Sequence, residues 1–187
     1  MLSDLFTQIL THFTPFQITL ILIVLVIGIS ISWTKFKGAP WVPTSRKLAH
    51  KMLSIADVGP DDLVFDLGCG DGRLIVAAAK EYGAHAVGVE IDPFRYLWCQ
   101  VLITILGLRD RVRIIYGDLF KVDVSSADVV TCYLLQETND KLETKLKEEL
   151  RVGARIVSNT FLFTDLEMAR WDGQAKLYII RSEPIYL

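Results

Sequence analysis

The run Phe65-Asp66-Leu67-Gly68-Cys69-Gly70-Asp71-Gly72-Arg73 constrains this chain more than any other stretch. A short apolar segment, residues 63–65, leads into it, and a helical pattern, residues 74–80, leaves it. Three glycines alternating with other residues permit a tight strand-to-helix turn whose backbone lies against a ligand. The helix N-terminus adds free N–H groups at the same place. A nicotinamide-binding turn takes the form G-x-G-x-x-G, and Arg73 stands where the third glycine belongs. Asp66 and Asp71 also repel a pyrophosphate. A ligand with a cationic amino-acid end suits this turn better than a diphosphate.

Around the turn, strand and helix patterns alternate. Strands are predicted at residues 63–67, 86–90, 112–116, 128–133 and 155–159, with a last one inside residues 174–182. Helices are predicted over residues 73–82, 93–106 and 139–151, and Thr44 or Ser45 caps an earlier one running to residue 56. Gly83, Gly107 and Gly153 fall at or just past helix ends, where a left-handed cap is expected. The alternation predicts an α/β fold with a mostly parallel, Rossmann-like sheet.

The mean hydropathy of +0.36 is high, and the excess is local. Residues 13–33 are almost wholly apolar, and no charge lies between Asp4 and Lys35. About 20 such residues match a bilayer core, although a core helix or a signal peptide is also apolar. No basic residue precedes the run and no small-x-small cleavage site follows it, which disfavours a signal peptide. The pattern predicts a single membrane-spanning helix over residues 13–34 within an N-terminal segment, residues 1–38. Lys35, Lys37, Arg46, Lys47 and Lys51 follow before the next acid, Asp57. That bias predicts a single-pass membrane protein, the bilayer as a partner, and its main domain, residues 39–187, on the cytoplasmic or matrix-equivalent side. The same cluster also reads as a solvated helix face. Pro40, Pro43 and Gly38 mark the break between segment and domain.

The net charge is −2, and the part after the apolar segment is mildly acidic without a basic stripe, which argues against tight nucleic-acid binding. Cys69, Cys99 and Cys132 show no paired or metal-like spacing, and His12, His50 and His85 are scattered, so no metal is assigned.

Three further strand ends carry candidate ligand contacts. Glu90, in Val87-Gly88-Val89-Glu90-Ile91-Asp92, lies about 20 residues past the turn, where an acid accepts both hydroxyls of a ribose; a surface carboxylate is the plain alternative. Asp118, in Tyr116-Gly117-Asp118-Leu119-Phe120, either accepts from an adenine amino group flanked by Ile91 and Leu119 or closes an Asx turn. Tyr133, ending Thr131-Cys132-Tyr133, lies beside the reactive end of a ligand or else in the core.

Taken in this order, the four sites resemble the first motifs of the class I S-adenosylmethionine-dependent methyltransferases. More narrowly, residues 39–163 resemble the lysine methyltransferases acting on the mitochondrial adenine nucleotide translocase and on a component of the ATP synthase, with their archaeal and bacterial homologues. The narrower likeness rests on Trp41-Val42-Pro43-Thr44, on Tyr133-Leu134-Leu135 with Asn139, and on Gly153-Ala154-Arg155-Ile156-Val157-Ser158. Relatives tend to carry His-Asp after Val-Ser, where this chain has Asn159-Thr160. The resemblance implies a seven-stranded sheet, S-adenosylmethionine as cofactor and a lysine of a membrane or membrane-associated protein as substrate. It places Pro43 and Thr44 against the methionine end, and Asp66, Gly68, Cys69, Gly70, Asp71 and Gly72 along the amino-acid part. Glu90 and Asp92 fall at the ribose, Ile91, Asp118 and Leu119 at the adenine, and Tyr133 at the transferring methyl as the catalytic residue. A small-molecule or lipid methyltransferase, or a binding protein without turnover, shares most of these features.

Overall fold

The structure, a computed structural model, describes residues 14–37 and 43–182. Helix α1 (Pro15–Lys37) comes first, followed by α2 (Arg46–Ile55), β1 (Leu63–Leu67), α3 (Arg73–Glu81), β2 (His85–Glu90), α4 (Pro93–Ile105) and β3 (Val112–Tyr116). The chain continues through β4 (Val129–Cys132), α5 (Gln136–Glu149), β5 (Arg155–Asn159), β6 (Met168–Asp172) and β7 (Ala175–Ile179). The seven strands form one sheet in the order β3-β2-β1-β4-β5-β7-β6. The first five are parallel, and β7 runs antiparallel to both β5 and β6.

From β1 the chain winds outward through β2 to β3, then returns to the other side of β1 for β4. The strand order therefore reverses between β1 and β4, and in an open parallel sheet ligands sit beyond the strand ends at such a switch. Successive residues of each strand face opposite sides. Val64, Val129 and Val157 join a core with Met52, Leu53, Ile75, Ala78, Cys99 and Ile103, which α2, α3 and α4 supply. Phe65, Val130 and Ile156 join a second core with Leu142, Leu146 and Tyr178. A central sheet covered on both faces explains why its inner strands read as continuous apolar runs.

Local chemistry sets the helix starts. Ser45, not Thr44, caps α2, accepting from Leu48 N–H at 3.2 Å. Asp92 caps α4 by accepting from Phe94 and Arg95 N–H at 2.9 and 3.0 Å, and Pro93 takes the first helical position, where no N–H is needed.

The apolar N-terminal segment requires a correction. It does form α1, 23 residues long. Yet among the described residues no helix is long and apolar enough to cross a membrane. The expected membrane-spanning helix, the bilayer as its partner and the single-pass, cytoplasm-facing placement are accordingly overturned. Residue 13 of the expected span and the break at residues 38–42 lie outside the described residues.

Candidate cofactor and acceptor site

The glycine turn sits on the end of β2. Gly68, Gly70 and Gly72 all take left-handed backbone angles, with φ of 81°, 57° and 80°, so the sharp reversal from β1 into α3 needs residues without a Cβ. Gly68 and Cys69 N–H both donate to the Val89 carbonyl, at 2.9 and 3.0 Å. The approach is close enough that a Cβ on Gly88 would lie 2.7 Å from Cys69 Sγ and 2.9 Å from Ile75 Cδ1.

Glu90 locks this turn to the next one. Its Oε2 accepts from Gly70 N–H at 2.9 Å, and its Oε1 accepts from Ile91 and Asp92 N–H at 3.0 and 2.8 Å. Burial raises its pKa, and the Asp92 and Gly70 amides oppose that rise. Each carboxylate oxygen offers two acceptor positions; Oε1 has both filled, and Oε2 keeps one for a ligand's hydroxyl. Asp92, expected to contact the cofactor, is fully buried and caps α4, so it acts on the site by holding that helix.

Asp66 lies at the level where β1 pairs with β4. Thr131 Oγ1 donates to Asp66 Oδ1 at 2.8 Å. The carboxyl is nearly buried, and desolvation, reinforced by the charges of Glu90 and Asp71, pushes its pKa up to about 7 against the Thr131 hydrogen bond. A buried carboxyl in this condition suits a cationic partner, whose charge would restore its ionised form.

Asp71 is half-buried and already paired. Arg73 Nε donates to both its oxygens, at 2.9 and 3.0 Å, and Arg73 Nη2 pairs with Oδ2 as well. Arg73 Nη1 donates to the Thr44 carbonyl. One guanidinium thus joins the turn to the backbone beside Pro43, an exposed residue ahead of α2.

On the β3 side, Asp118 Oδ1 accepts from Phe120 N–H at 3.0 Å, which closes an Asx turn, and Ile91 and Leu119 are half-buried. On the β4 side, Tyr133 follows the strand directly and is half-buried. Asn139, fully buried at the start of α5, donates to Ser158 Oγ at 3.0 Å, and Ser158 donates to the Phe161 carbonyl at 2.7 Å. The strand ends thus carry Asp66, the glycines, Glu90, Asp118 and Tyr133, while Asp71 pairs with Arg73 and Asp92 caps α4. Thr131 and Arg73 are site residues that sequence reasoning does not single out. Thr131 could be found from its place two positions before Tyr133 on an adjoining strand; Arg73 carries no such signal, because its partner Thr44 is distant in sequence. A cavity of about 520 Å³ between α2, α3 and α4, lined by Arg46, His50, Val76, Lys80 and Leu102, meets the turn only through Arg73. The strand-end chemistry, not that cavity, marks the site.

Buried carboxyls at the strand ends beside a glycine turn, with half-buried apolar residues next to them, suit a ligand that joins a cation, a ribose and an aromatic base. With this sheet order, those features define a class I S-adenosylmethionine-dependent methyltransferase. Residues 66–170 match the family model described as the ANTKMT methyltransferase domain, and the chain belongs to that family. It is 47% identical to a protein-lysine N-methyltransferase of Saccharolobus islandicus, over 65% of this chain and 76% of that one. It is 34% identical to the adenine nucleotide translocase lysine N-methyltransferase of Mus musculus, over 65% of this chain and 53% of that protein, so it spans about half of that relative's length. Among solved structures, an RNA methyltransferase of Salinibacter ruber in complex with S-adenosyl-L-homocysteine superimposes with a TM-score of 0.74 at 38% identity, covering 76% of this chain and 95% of that one.

Proposed function

We propose that this chain transfers a methyl group from S-adenosylmethionine to lysine side chains of a protein. The observation that carries the reading is the 47% identity to a protein-lysine N-methyltransferase across three quarters of that relative. The site is consistent with it. Asp66 holds the cofactor's ammonium, Glu90 a ribose hydroxyl through the free position on Oε2, and the second oxygen of Asp118 its adenine amino group, with Ile91 and Leu119 against the ring. Gly68, Cys69, Gly70 and Gly72 line the amino-acid part with backbone, and Pro43 and Thr44 cover the methionine end, held by Arg73.

When bound, the cofactor supplies a methyl on a cationic sulfur, and the lysine nitrogen forms its bond to carbon as the carbon–sulfur pair returns to sulfur. The chain's part is alignment, which alone supplies much of the acceleration of such a displacement. Lysine has a reference pKa of about 10.4 and must shed a proton first. His85 begins β2 at the opposite edge of the sheet, and His50 on α2 pairs with Glu81. Neither serves as base, so the proton goes to water while Tyr133 orients the amine through its hydroxyl or ring face.

The name of the solved relative supplies a second reading, an RNA acceptor. Cell extract incubated with methyl-labelled S-adenosylmethionine and the enzyme, then separated into protein, RNA and lipid, distinguishes them. Methyl-lysine after acid hydrolysis of the protein fraction is expected; label confined to RNA or lipid refutes the lysine reading.

A further inference from the structure

Among the described residues, Asn159 Nδ2 is the buried side-chain nitrogen that finds no hydrogen-bond partner, in a residue with no exposed surface. Leaving such a donor unsatisfied is costly, and native folds keep few of them. Its neighbour is unusual too. Thr160 has a φ of 67°, in the left-handed region that a β-branched residue seldom enters. The fold pins it there: Thr160 N–H donates to the Gln174 carbonyl at 2.8 Å, its carbonyl accepts from Lys176 Nζ at 2.7 Å, and its hydroxyl donates to Asn159 Oδ1 at 3.3 Å. An orphaned amide and a strained backbone at adjacent residues are the kind of paired anomaly that collects at functional sites.

The register says what this amide is near. Asp66, Thr131 and Val157 line up across β1, β4 and β5. Asn159 lies two residues beyond Val157, on the same face and closer to the strand ends. Cys132 pairs with Ser158, so Tyr133 and Asn159 are the next residues on neighbouring strands. Crossing the sheet from β3 to β5 passes Asp118, Glu90, Asp66, Tyr133 and finally Asn159, in steps of about 4.8 Å per strand. Asn159 therefore lies on the side of Asp66 away from the ribose, where an acceptor must enter.

We infer that Asn159 is a specificity-determining residue that hydrogen-bonds the incoming lysine amine, an inference that rests on the lysine reading above. A neutral amine carries two N–H donors and one lone pair, and the lone pair must face the methyl. Thr160 Oγ1 can donate or accept, so turning the amide over hands Nδ2 to Thr160 and leaves Asn159 Oδ1 to accept an amine N–H. A carboxylate there would stabilise the ammonium, whose proton blocks attack; a neutral amide orients the amine with a weaker pull on that proton.

Asn159→Leu removes the amide while keeping its branched shape and heavy-atom count, and separates this role from a structural one. The melting temperature is expected to hold or rise, and S-adenosylhomocysteine affinity by calorimetry to stay within about twofold. Methyl-lysine formed in labelled extract should fall at least about tenfold. Asn159→Ala gives the same readings if the leucine variant fails to fold. Wild-type methyl-lysine formation in either folded variant, as expected if a buried water alone meets the amide, overturns the inference, and so does a parallel loss of cofactor affinity. A wild-type enzyme that binds the homocysteine product but labels no lysine refutes instead the reading beneath it, and the inference falls with it.

Discussion

Thr131 Oγ1 reaches across the β1–β4 pair to donate to Asp66 Oδ1 at 2.8 Å, yet the Asp66 pKa still rises to about 7. Burial outweighs the hydrogen bond. A carboxyl with a raised folded-state pKa holds a proton that the unfolded chain, with its ordinary value of 3.8, has released. Asp66 therefore lowers the stability of the ligand-free chain progressively as pH rises from about 4 to about 7, by up to about 1 kcal/mol per pH unit. Asp66→Asn should remove this slope. Urea unfolding at pH 5 and pH 8 should show the variant gaining on the wild type at the higher pH.

The same group predicts how cofactor affinity responds to pH. A cationic ligand binds the ionised carboxyl better, so affinity should increase up to about pH 7 and then level off, with proton release on binding below that point. Calorimetry in two buffers of different ionisation heat reads the proton directly. A flat affinity profile with no proton released would separate Asp66 from the ammonium.

Replacing Glu90 disturbs two things at once. Glu90→Ala removes the acceptor for three backbone N–H groups, of Gly70, Ile91 and Asp92, in addition to the proposed ribose contact. Losing charge-assisted hydrogen bonds of this kind costs about 1.5–3 kcal/mol each when a donor is stranded. Cofactor affinity is expected to fall by more than about 100-fold, and the melting temperature with it. Glu90→Gln, which keeps one oxygen, should hold most of the stability and lose most of the affinity.

Gly88→Ala tests the fit of the turn against β2. Its new Cβ would lie 2.7 Å from Cys69 Sγ and 3.0 Å from Cys69 Cβ, so Cys69 must move. Overpacking of this sort costs about 1–3 kcal/mol. Both the melting temperature and cofactor affinity should drop. Gly88→Ala with Cys69→Ala, which removes the nearest clashing atom, should recover part of each.

Tyr133→Phe and Tyr133→Ala distinguish hydroxyl from ring. Retained turnover in Phe and a loss of at least about tenfold in Ala would assign orientation to the ring; loss in both would assign it to the hydroxyl. Unchanged turnover in both variants removes Tyr133 from the mechanism.

Much of the fold is readable from local signals. The strands at residues 63–67, 112–116 and 155–159 fall where the sequence predicts them: β1 is an inner strand covered on both faces and almost wholly apolar, whereas β3 lies at the sheet edge and shows a buried-exposed-buried start over Val112, Arg113 and Ile114. Strand β6 carries no such signal: Met168 to Asp172 are exposed at every position, and the strand exists through pairing with β7 across the Gly173 turn. Helix α5 starts at Gln136, before the expected Asn139, because the polar residues 136–139 hide its first turn; Gln136 there exchanges hydrogen bonds with Leu162. In the site, Asp66 and Glu90 follow from spacing within strand-turn-helix units. The partners of Asp71 and Asp92 do not, because a helix cap or a guanidinium clamp depends on where side chains meet in space.

Arg73 grips Asp71 with one part of its guanidinium and the Thr44 carbonyl with another. A single side chain thus forms a mechanical joint between the turn and the segment at residues 43–45 that leads into α2. Linkage makes such a joint reciprocal: whatever filling the turn does to the pose of the upstream chain, a pull on that chain must do in return to occupancy of the turn.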